Sequence, residues 1–291
     1  MSDRDSRARI AHQLLILEDI AEHAKSAIPT NLANPGYPLT LDDKALEPYH
    51  LSHVVANCLT NAADVLATAR LVLDDDGALR VPIVGIYPLM RSALEASALA
   101  VWLLSPDDPR IRRSRALSVR WADMIYDDTN IRAVIGAYDE DTKEARSFKA
   151  EMLRKNARIV KRRKELLNKV ADALDIEIVD RPGFGPIIGD TADFVGLPVG
   201  QLRGTYGILS GLTHPSLSGT LRMSTVNRPE KSEADGTLTV NISADLSTVA
   251  FAIDSAVVMY MKATAILGKR TGLREVAWPT KDTAMRVLPP D

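Results

Sequence analysis

The feature that most constrains the fold is a segment from about Val81 to Leu104 that is apolar on nearly every side of a helix. Its apolar residues fill the positions three and four apart and also those between them, as Ile83, Ile86, Leu89, Met90, Ala93, Leu94, Ala96, Ala98, Leu99, Ala100, Val101 and Leu104 show. A helix that is hydrophobic all round is buried all round. This segment is therefore predicted to lie at the centre of a helical bundle.

Apolar residues repeat at helical spacing in six further segments. The predicted helices run over about 5–27, 46–73, 109–135, 140–174, 198–213 and 246–267. Pro29, Pro35, Gly36 and Pro38 mark a loop that cannot be helical, and Asp108 with Pro109 form a helix start. The sequence from Asp74 to Gly77 closes the second of these helices.

Between and after the helices, the pattern changes twice. Residues 175–195 carry two prolines and three glycines and predict a long loop, whereas 221–226 and 237–242 predict the strands of a small hairpin. The prediction is a mainly α protein of one domain, residues 1–291. It is a multi-helix bundle with a projecting antiparallel helical hairpin at about 109–175, a β-hairpin insert at about 221–242 and a tail at 270–291.

Composition excludes several classes of protein. The chain has 291 residues, of which 46% are hydrophobic and 25% charged, and its formal net charge of -2 favours neither nucleic acid nor an acidic ligand overall. Cys58 is the only cysteine, so no intramolecular disulfide and no thiolate metal cluster can form. The charged N-terminus does not resemble a secretory signal and no run of 18 apolar residues occurs. We therefore expect a cytoplasmic protein that does not enter a membrane.

The most informative polar residues lie inside the most apolar helix. Arg91 and Glu95 are four apart and share a face, which Tyr87 and Trp102 extend. A charge that is buried without a partner destabilises a fold by about 3–5 kcal/mol. The two residues are therefore either an internal ion pair that fixes the register of the helices or a functional site at the centre of the bundle.

A second group of polar residues lies on the predicted helix 198–213. Tyr206, Ser210 and His214 step by four residues and Arg203 precedes Tyr206 by one turn, so the four share one face. Pro215 disfavours helical geometry at His214, which places its imidazole at the end of the helix, as a cap or as a catalytic group. Three glycines, Gly204, Gly207 and Gly211, are costly inside a helix and predict close packing against another helix.

Together the two groups carry a resemblance. An arginine–serine–x–x–glutamate helix followed by tyrosine–x–x–x–serine–x–x–x–histidine–proline resembles bacterial helical proteins allied to HEPN domains, over roughly the second to sixth helices. HEPN domains are helical bundles that often dimerise, and many are metal-independent ribonucleases of toxin–antitoxin and phage-defence systems. The resemblance implies a ribonuclease without a cofactor that acts on RNA and has a second copy or a cognate antitoxin as partner. The candidate catalytic residues are His214, Arg91, Glu95, Arg203, Tyr206 and Ser210.

The spacing of these residues leaves a second interpretation open. HEPN nucleases use an arginine and a histidine four to six residues apart, whereas ten residues separate Arg203 from His214. Arg91 could approach His214 only through the fold. The alternative is a non-catalytic bundle that binds a protein partner or a small ligand and is held together by a buried network of Arg91, Glu95, Tyr206 and His214.

Two weaker signals are a basic stretch and a pair of histidines. Between Lys143 and Lys169 there are eleven basic residues and only three glutamates. These basic side chains could bind along a phosphate backbone or could form a solvated face. The candidate nucleic-acid-binding residues are Arg154, Lys155, Arg158, Lys161, Arg162 and Arg163. A metal-dependent hydrolase built on His50, His53 and Asp64 is a third hypothesis, but no glutamate motif accompanies the histidines, so neither a metal site nor a cofactor is predicted.

Overall fold

The structure, a computed structural model, describes residues 2–27, 34–138, 142–227, 241–273 and 276–278. These residues form eleven helices and two short antiparallel strand pairs, which confirms a mainly α fold with a small β-hairpin insert. The helices are α1 Asp3–Ala27, α2 Pro38–Leu46, α3 Leu51–Leu73, α4 Ile86–Leu104, α5 Pro109–Gly136, α6 Lys143–Ala173, α7 Phe184–Asp190, α8 Ala192–Val195, α9 Val199–Thr213, α10 Leu217–Arg222 and α11 Leu246–Thr271. The strands are β1 Asp74–Asp75, β2 Ala78–Leu79, β3 Ser224–Asn227 and β4 Asn241–Ala244.

Helix α4 is the apolar helix that the sequence places at the centre of the bundle. Thirteen of its nineteen residues are buried, and it packs against α7, α9 and α11. It begins at Ile86 rather than at Val81. The cause is Pro88, because a further turn towards the N-terminus would bring the proline ring against the carbonyl of Val84.

Three predictions of local structure are wrong. The segment that was predicted as loop up to Pro38 contains the start of α2, in which Pro38 is the first helical residue and needs no N–H partner. The next helix begins at Leu51 instead of Leu46, after Pro48. Helices α7 and α8 occupy residues 184–195 of the predicted loop 175–195, where burial of Ile187 and Ile188 outweighs the poor helix propensity of the neighbouring glycines. Residues 175–183 contain no helix, as predicted.

The predicted β-hairpin is present but shifted. Residues 217–222 form α10, whose first turn is capped by the Ser216 side chain, so the first strand begins at Ser224 instead of Leu221. The second strand, β4, pairs with it antiparallel, with Val226 opposite Ile242. The loop of this hairpin, predicted at 227–236, lies almost entirely outside the described residues, as does most of the predicted C-terminal tail.

The chain folds as two compact units. The first comprises residues 1–34, 55–105 and 183–291, and the second comprises residues 35–54 and 106–182. The prediction of a single domain stays a prediction.

The second unit contains the helical hairpin that the sequence predicts. Helices α5 and α6 pack on each other, and the Asn156 amide donates to Asp128 at 2.5 Å across the pair. Helix α2 packs on α5 through Asp42, which is fully buried and receives hydrogen bonds from Arg112 at 2.7 Å and from Arg113 at 2.9 Å. The buried ion pair between Asp42 and Arg112 holds α2 against the helical hairpin.

The first unit is organised around α4 and α11. Helix α11 is capped by the Asp245 side chain, which accepts from the Thr248 amide at 2.7 Å, and it ends at Gly272 in the left-handed conformation with φ of 69°. Its length and composition suffice to cross a membrane, and 56% of its most apolar 18-residue window is buried inside the protein. The core helices of soluble proteins pass the same test of length and composition.

Candidate functional site

The two polar groups that the sequence singles out meet in the first unit, where α9 packs on α4. The Arg91 Nε donates to Glu95 Oε1 at 2.8 Å, and the Tyr206 hydroxyl donates to the same oxygen at 3.0 Å. The Arg91 guanidinium carbon also lies 5.7 Å from the centre of the Tyr206 ring. One carboxylate oxygen therefore joins an ion pair on one helix to a phenol that is 111 residues away in sequence.

This network is neither fully exposed nor sealed. The Arg91 and Glu95 side chains are 24% and 17% exposed, and Tyr206 is half-buried. The prediction of two largely desolvated charges is thus confirmed in its main point, and a solute can still reach both groups. A salt bridge in this position interacts more strongly than a surface pair, which contributes about 0–1 kcal/mol.

The protonation states in the network follow from its contacts. Burial alone would lower the pKa of Arg91, but the hydrogen bond and the charge of Glu95 outweigh burial and raise it, so the guanidinium is a permanent cation. Burial and the hydrogen bond to Glu95 raise the pKa of Tyr206 above its ordinary value. Tyr206 is therefore a neutral hydrogen-bond donor at physiological pH and not a base.

Helix α7, which the sequence did not reveal, forms one side of this region. A Cβ added to Gly185 would lie 3.7 Å from the Tyr206 ring, so the backbone of α7 runs beside that ring. At Gly189, an added Cβ would overlap the Arg203 Nε and lie 2.7 Å from its Nη2. Gly189 thus leaves the space in which the guanidinium of Arg203 lies against the helix.

Ser210 and His214 continue the face that begins with Arg203 and Tyr206, but the network does not include them. Ser210 is half-buried and His214 is exposed. His214 is the C-cap residue that directly follows α9 and has extended backbone angles of φ -101° and ψ 149°, as the following proline predicts. Within the described residues, neither side chain forms a hydrogen bond or an ion pair with Arg91, Glu95 or Tyr206.

The glycines of α9 were predicted to pack closely against another helix, and within a single chain this prediction is wrong. A Cβ added to Gly204, Gly207 or Gly211 would meet no described atom within 4 Å, and the same is true of Gly200. All four glycines are exposed. The four glycines form a strip of helix surface without side chains, the glycine strip, which no described helix of the chain covers. It lies beside the face of α9 that carries Tyr206.

Two aromatic residues that share a face of α4 with the ion pair, Tyr87 and Trp102, are buried more deeply than the pair itself. Tyr87 is fully buried, and its hydroxyl has no hydrogen-bond partner among the described residues. Burial, and to a smaller extent the charge of Asp245, raise the pKa of Tyr87 to about 12. Trp102 is also buried, so both residues contribute to the core around the site.

The basic stretch lies on α6 in the second unit. Arg154, Lys155, Arg158, Lys161 and Arg162 are exposed, and Arg163 is half-buried. Lys155 pairs with a glutamate four residues before it at 2.9 Å, and Arg163 pairs with Asp127 of α5 at 3.2 Å. Within the described part of the chain, Arg154, Arg158 and Arg162 form no ion pair, so three arginine charges are free for an external anion.

The histidines of the metal hypothesis interact with each other. The rings of His50 and His53 lie 4.7 Å apart, and His50 Nε2 contacts the Glu47 carboxylate. Among the residues that the structure describes, no group of three or more histidine, cysteine, aspartate or glutamate side chains could hold a metal ion.

No protein-family model, no curated protein and no solved structure matches this chain. The resemblance to proteins allied to HEPN domains therefore stays a prediction.

Proposed function

We propose that the chain is a HEPN-like helical protein that binds RNA and cleaves it without a metal ion, as a ribonuclease of a defence or toxin–antitoxin system. One observation carries the proposal. Residues from the two sequence motifs, Arg91 and Glu95 on α4 and Tyr206 on α9, meet in one partly open network. Residues that serve only as surface charges would have no reason to converge from segments 111 residues apart in the sequence.

Each residue of the proposed site has a chemical role in cleavage. His214 would take a proton from the attacking hydroxyl and return one to the leaving oxygen, because an imidazole can both accept and donate a proton. Arg91 or Arg203 would stabilise the negative charge that builds up on the phosphate. Glu95 and Tyr206 would orient Arg91 rather than react, because Glu95 accepts hydrogen bonds from both of them.

The free arginines of α6 support binding of RNA. Arg154, Arg158 and Arg162 follow one another at four-residue steps and share one exposed face. Each phosphate that such a face neutralises releases counterions, so affinity should fall steeply with salt. Replacing Arg154 and Arg158 by glutamine should weaken binding of all RNA sequences alike and reduce the salt dependence.

A non-catalytic bundle is the second candidate, and one observation favours it. The charge of Arg91 is already neutralised by Glu95, and Tyr206 adds a second hydrogen bond to the same carboxylate oxygen. A network that is satisfied in this way can hold two helices together without a substrate. The two candidates differ at His214, which is exposed and outside the network.

The deciding experiment is cleavage of a mixed RNA pool, with and without EDTA, by the wild-type protein and by His214→Ala. Loss of a metal-independent cleavage in His214→Ala, at an unchanged melting temperature, would support the nuclease. His53→Ala changes another exposed histidine and should cleave like the wild type. If the wild-type protein is folded and does not cleave, the non-catalytic bundle is the better description.

We also propose that a second copy of the chain packs on the glycine strip of α9. Helix interiors lose about 1 kcal/mol for each glycine that stands in place of alanine, a cost that close approach of another helix would offset. In light scattering, the wild-type protein should therefore have the mass of a dimer and Gly207→Trp the mass of a monomer. If both proteins have the mass of a monomer at micromolar concentration, the strip is not a dimer interface, and a cognate antitoxin is the remaining partner to test.

A further inference from the structure

A cavity of about 200 Å³, which is partly open to solvent, lies in the first unit between α9, the end of α10 and the first turns of α11. Five of its lining residues are apolar, namely Ile208, Leu209, Met223, Phe251 and Ala252. Apolar cavities of about 150 Å³ are large enough to bind benzene. The space beside α9 therefore fits a molecule of one small ring or a short chain.

The remaining lining residues are three hydroxyl-bearing side chains, Thr205, Ser247 and Thr248. No lining residue is charged, in the part of the chain that the structure describes. Ligand sites usually combine an apolar wall with a few polar groups that fix the orientation of the ligand. Here the polar groups are all hydroxyls, and they decide which ligand fits.

Each of the three hydroxyl protons is already used inside the protein. Thr205 donates to the Gln201 carbonyl at 2.8 Å, Ser247 donates to Asp245 at 2.6 Å, and the Thr248 hydroxyl also bonds to the Asp245 carboxylate. A hydroxyl has one proton to donate and two lone pairs that accept. The polar side of the cavity can therefore accept hydrogen bonds but has no proton left to donate.

The charge next to the cavity has the same consequence. Burial alone would raise the pKa of Asp245, but its hydrogen bonds from Ser247 and Thr248 outweigh burial and lower it, so the side chain is a carboxylate at neutral pH. A negatively charged ligand would be repelled by this carboxylate, and no lining residue offers a compensating positive charge. A ligand group with an O–H or N–H is the complement of such a wall.

We propose that this cavity binds a small, neutral, largely apolar molecule that carries one hydrogen-bond donor, such as an aromatic alcohol. The proposal does not depend on RNA cleavage. Helix α9 presents Thr205 and Leu209 to the cavity and Tyr206 to the ion pair, so the ligand and the network would contact neighbouring faces of the helix.

Three probes of nearly equal size test the proposal with the full-length protein. Benzyl alcohol has a donor, acetophenone has only an acceptor, and toluene has neither. Binding is followed by the chemical shifts of the Ile208 and Leu209 methyl groups, which line the cavity. Benzyl alcohol should bind roughly tenfold more tightly than acetophenone, because a hydrogen bond from the ligand to an acceptor of the cavity wall contributes about that factor.

Different variants test the space inside the cavity and the hydrogen-bond acceptors of its wall. Met223→Trp and Ile208→Trp each place a larger side chain in a half-buried wall of the cavity, and either one should abolish binding of all three probes, as followed at the Leu209 methyl groups that both variants keep. Thr248→Val keeps the shape of the wall and removes an acceptor, so the advantage of benzyl alcohol should shrink at least threefold. Thr264→Val, at a helical threonine outside the cavity on the same helix, should leave all affinities unchanged.

Three results would overturn the proposal. They are equal affinity for the three probes, shifts that persist in both tryptophan variants, and absence of shifts in the wild type at probe concentrations up to the solubility limit. Because the readout is binding at named methyl groups, none of these results depends on whether the protein cleaves RNA.

Discussion

The buried carboxylate of Asp42 offers the sharpest test of the packing in the second unit. Asp42 is fully buried and accepts hydrogen bonds from Arg112 and Arg113, of which Arg112 is itself only 4% exposed. Replacing Asp42 by asparagine keeps the shape of the side chain and removes its charge. Arg112 then remains buried without a counter-charge, whereas Arg113, which is 21% exposed, can turn towards water.

The expected cost follows from these contacts. Removing one partner of a buried ion pair typically destabilises a protein by about 3–5 kcal/mol. Two features place Asp42→Asn at the lower end of that range. The new amide still offers one acceptor, and Arg112 also donates to the carbonyls of Pro106 at 2.8 Å and Asp107 at 2.7 Å. We therefore expect a loss of about 3 kcal/mol in the free energy of unfolding.

Urea unfolding at pH 7, followed by circular dichroism, measures this loss, and amide exchange in α5 shows where it arises. Asp175→Asn is the matched control, because Asp175 pairs with Arg110 at 3.1 Å in the same unit while being 97% exposed. The control should change stability by less than about 0.5 kcal/mol. If Asp42→Asn costs no more than Asp175→Asn, the reasoning from burial is refuted.

Three further predictions concern the first unit. Tyr206→Phe removes a hydrogen bond to the Glu95 carboxylate and should lower the free energy of unfolding by about 1 kcal/mol in urea titrations. Burial raises the pKa of Tyr87 and of Tyr260 to about 12. As the pH rises, these hydroxyls therefore lose their protons in the unfolded chain before they lose them in the folded protein. The free energy of unfolding should thus stay constant below pH 10 and fall between pH 10 and 12 by up to about 3 kcal/mol for each of the two tyrosines. Tyr87→Phe should abolish half of this total fall. Asp245→Ala removes the cap of α11 and should cost about 1 kcal/mol in thermal unfolding.

The parts of the fold that could be predicted are those in which one local pattern decides. The apolar residues of α4 leave no polar side, so a central position follows from the sequence, and the spacing of Arg91 and Glu95 places both on one face. Asp108 and Pro109 begin α5 as predicted, since the Asp108 side chain accepts from the Arg110 amide at 2.8 Å. Each of these features depends on residues within a turn or two of each other.

The parts that could not be predicted depend on contacts between distant segments. The bond from Tyr206 to Glu95 and the pair of Asp42 with Arg112 join residues 111 and 70 positions apart, and no spacing rule relates them. Helix α7 escaped prediction because its glycines indicate a loop, although Gly189 is needed there to accommodate Arg203. The signal that could have found α2 was Pro38 itself, since proline is common at the first position of a helix.

The bare backbone of α9 has a consequence for how the molecule moves. Four glycines in fifteen residues make this helix weak by itself, so its shape depends on the neighbours α4 and α7 that hold its other side. Local opening of the fold should therefore begin at α9, whose amides we expect to exchange with solvent before those of α4 or α11. Each opening would separate Tyr206 from Glu95, so the lifetime of the candidate site equals the closed lifetime of a single helix.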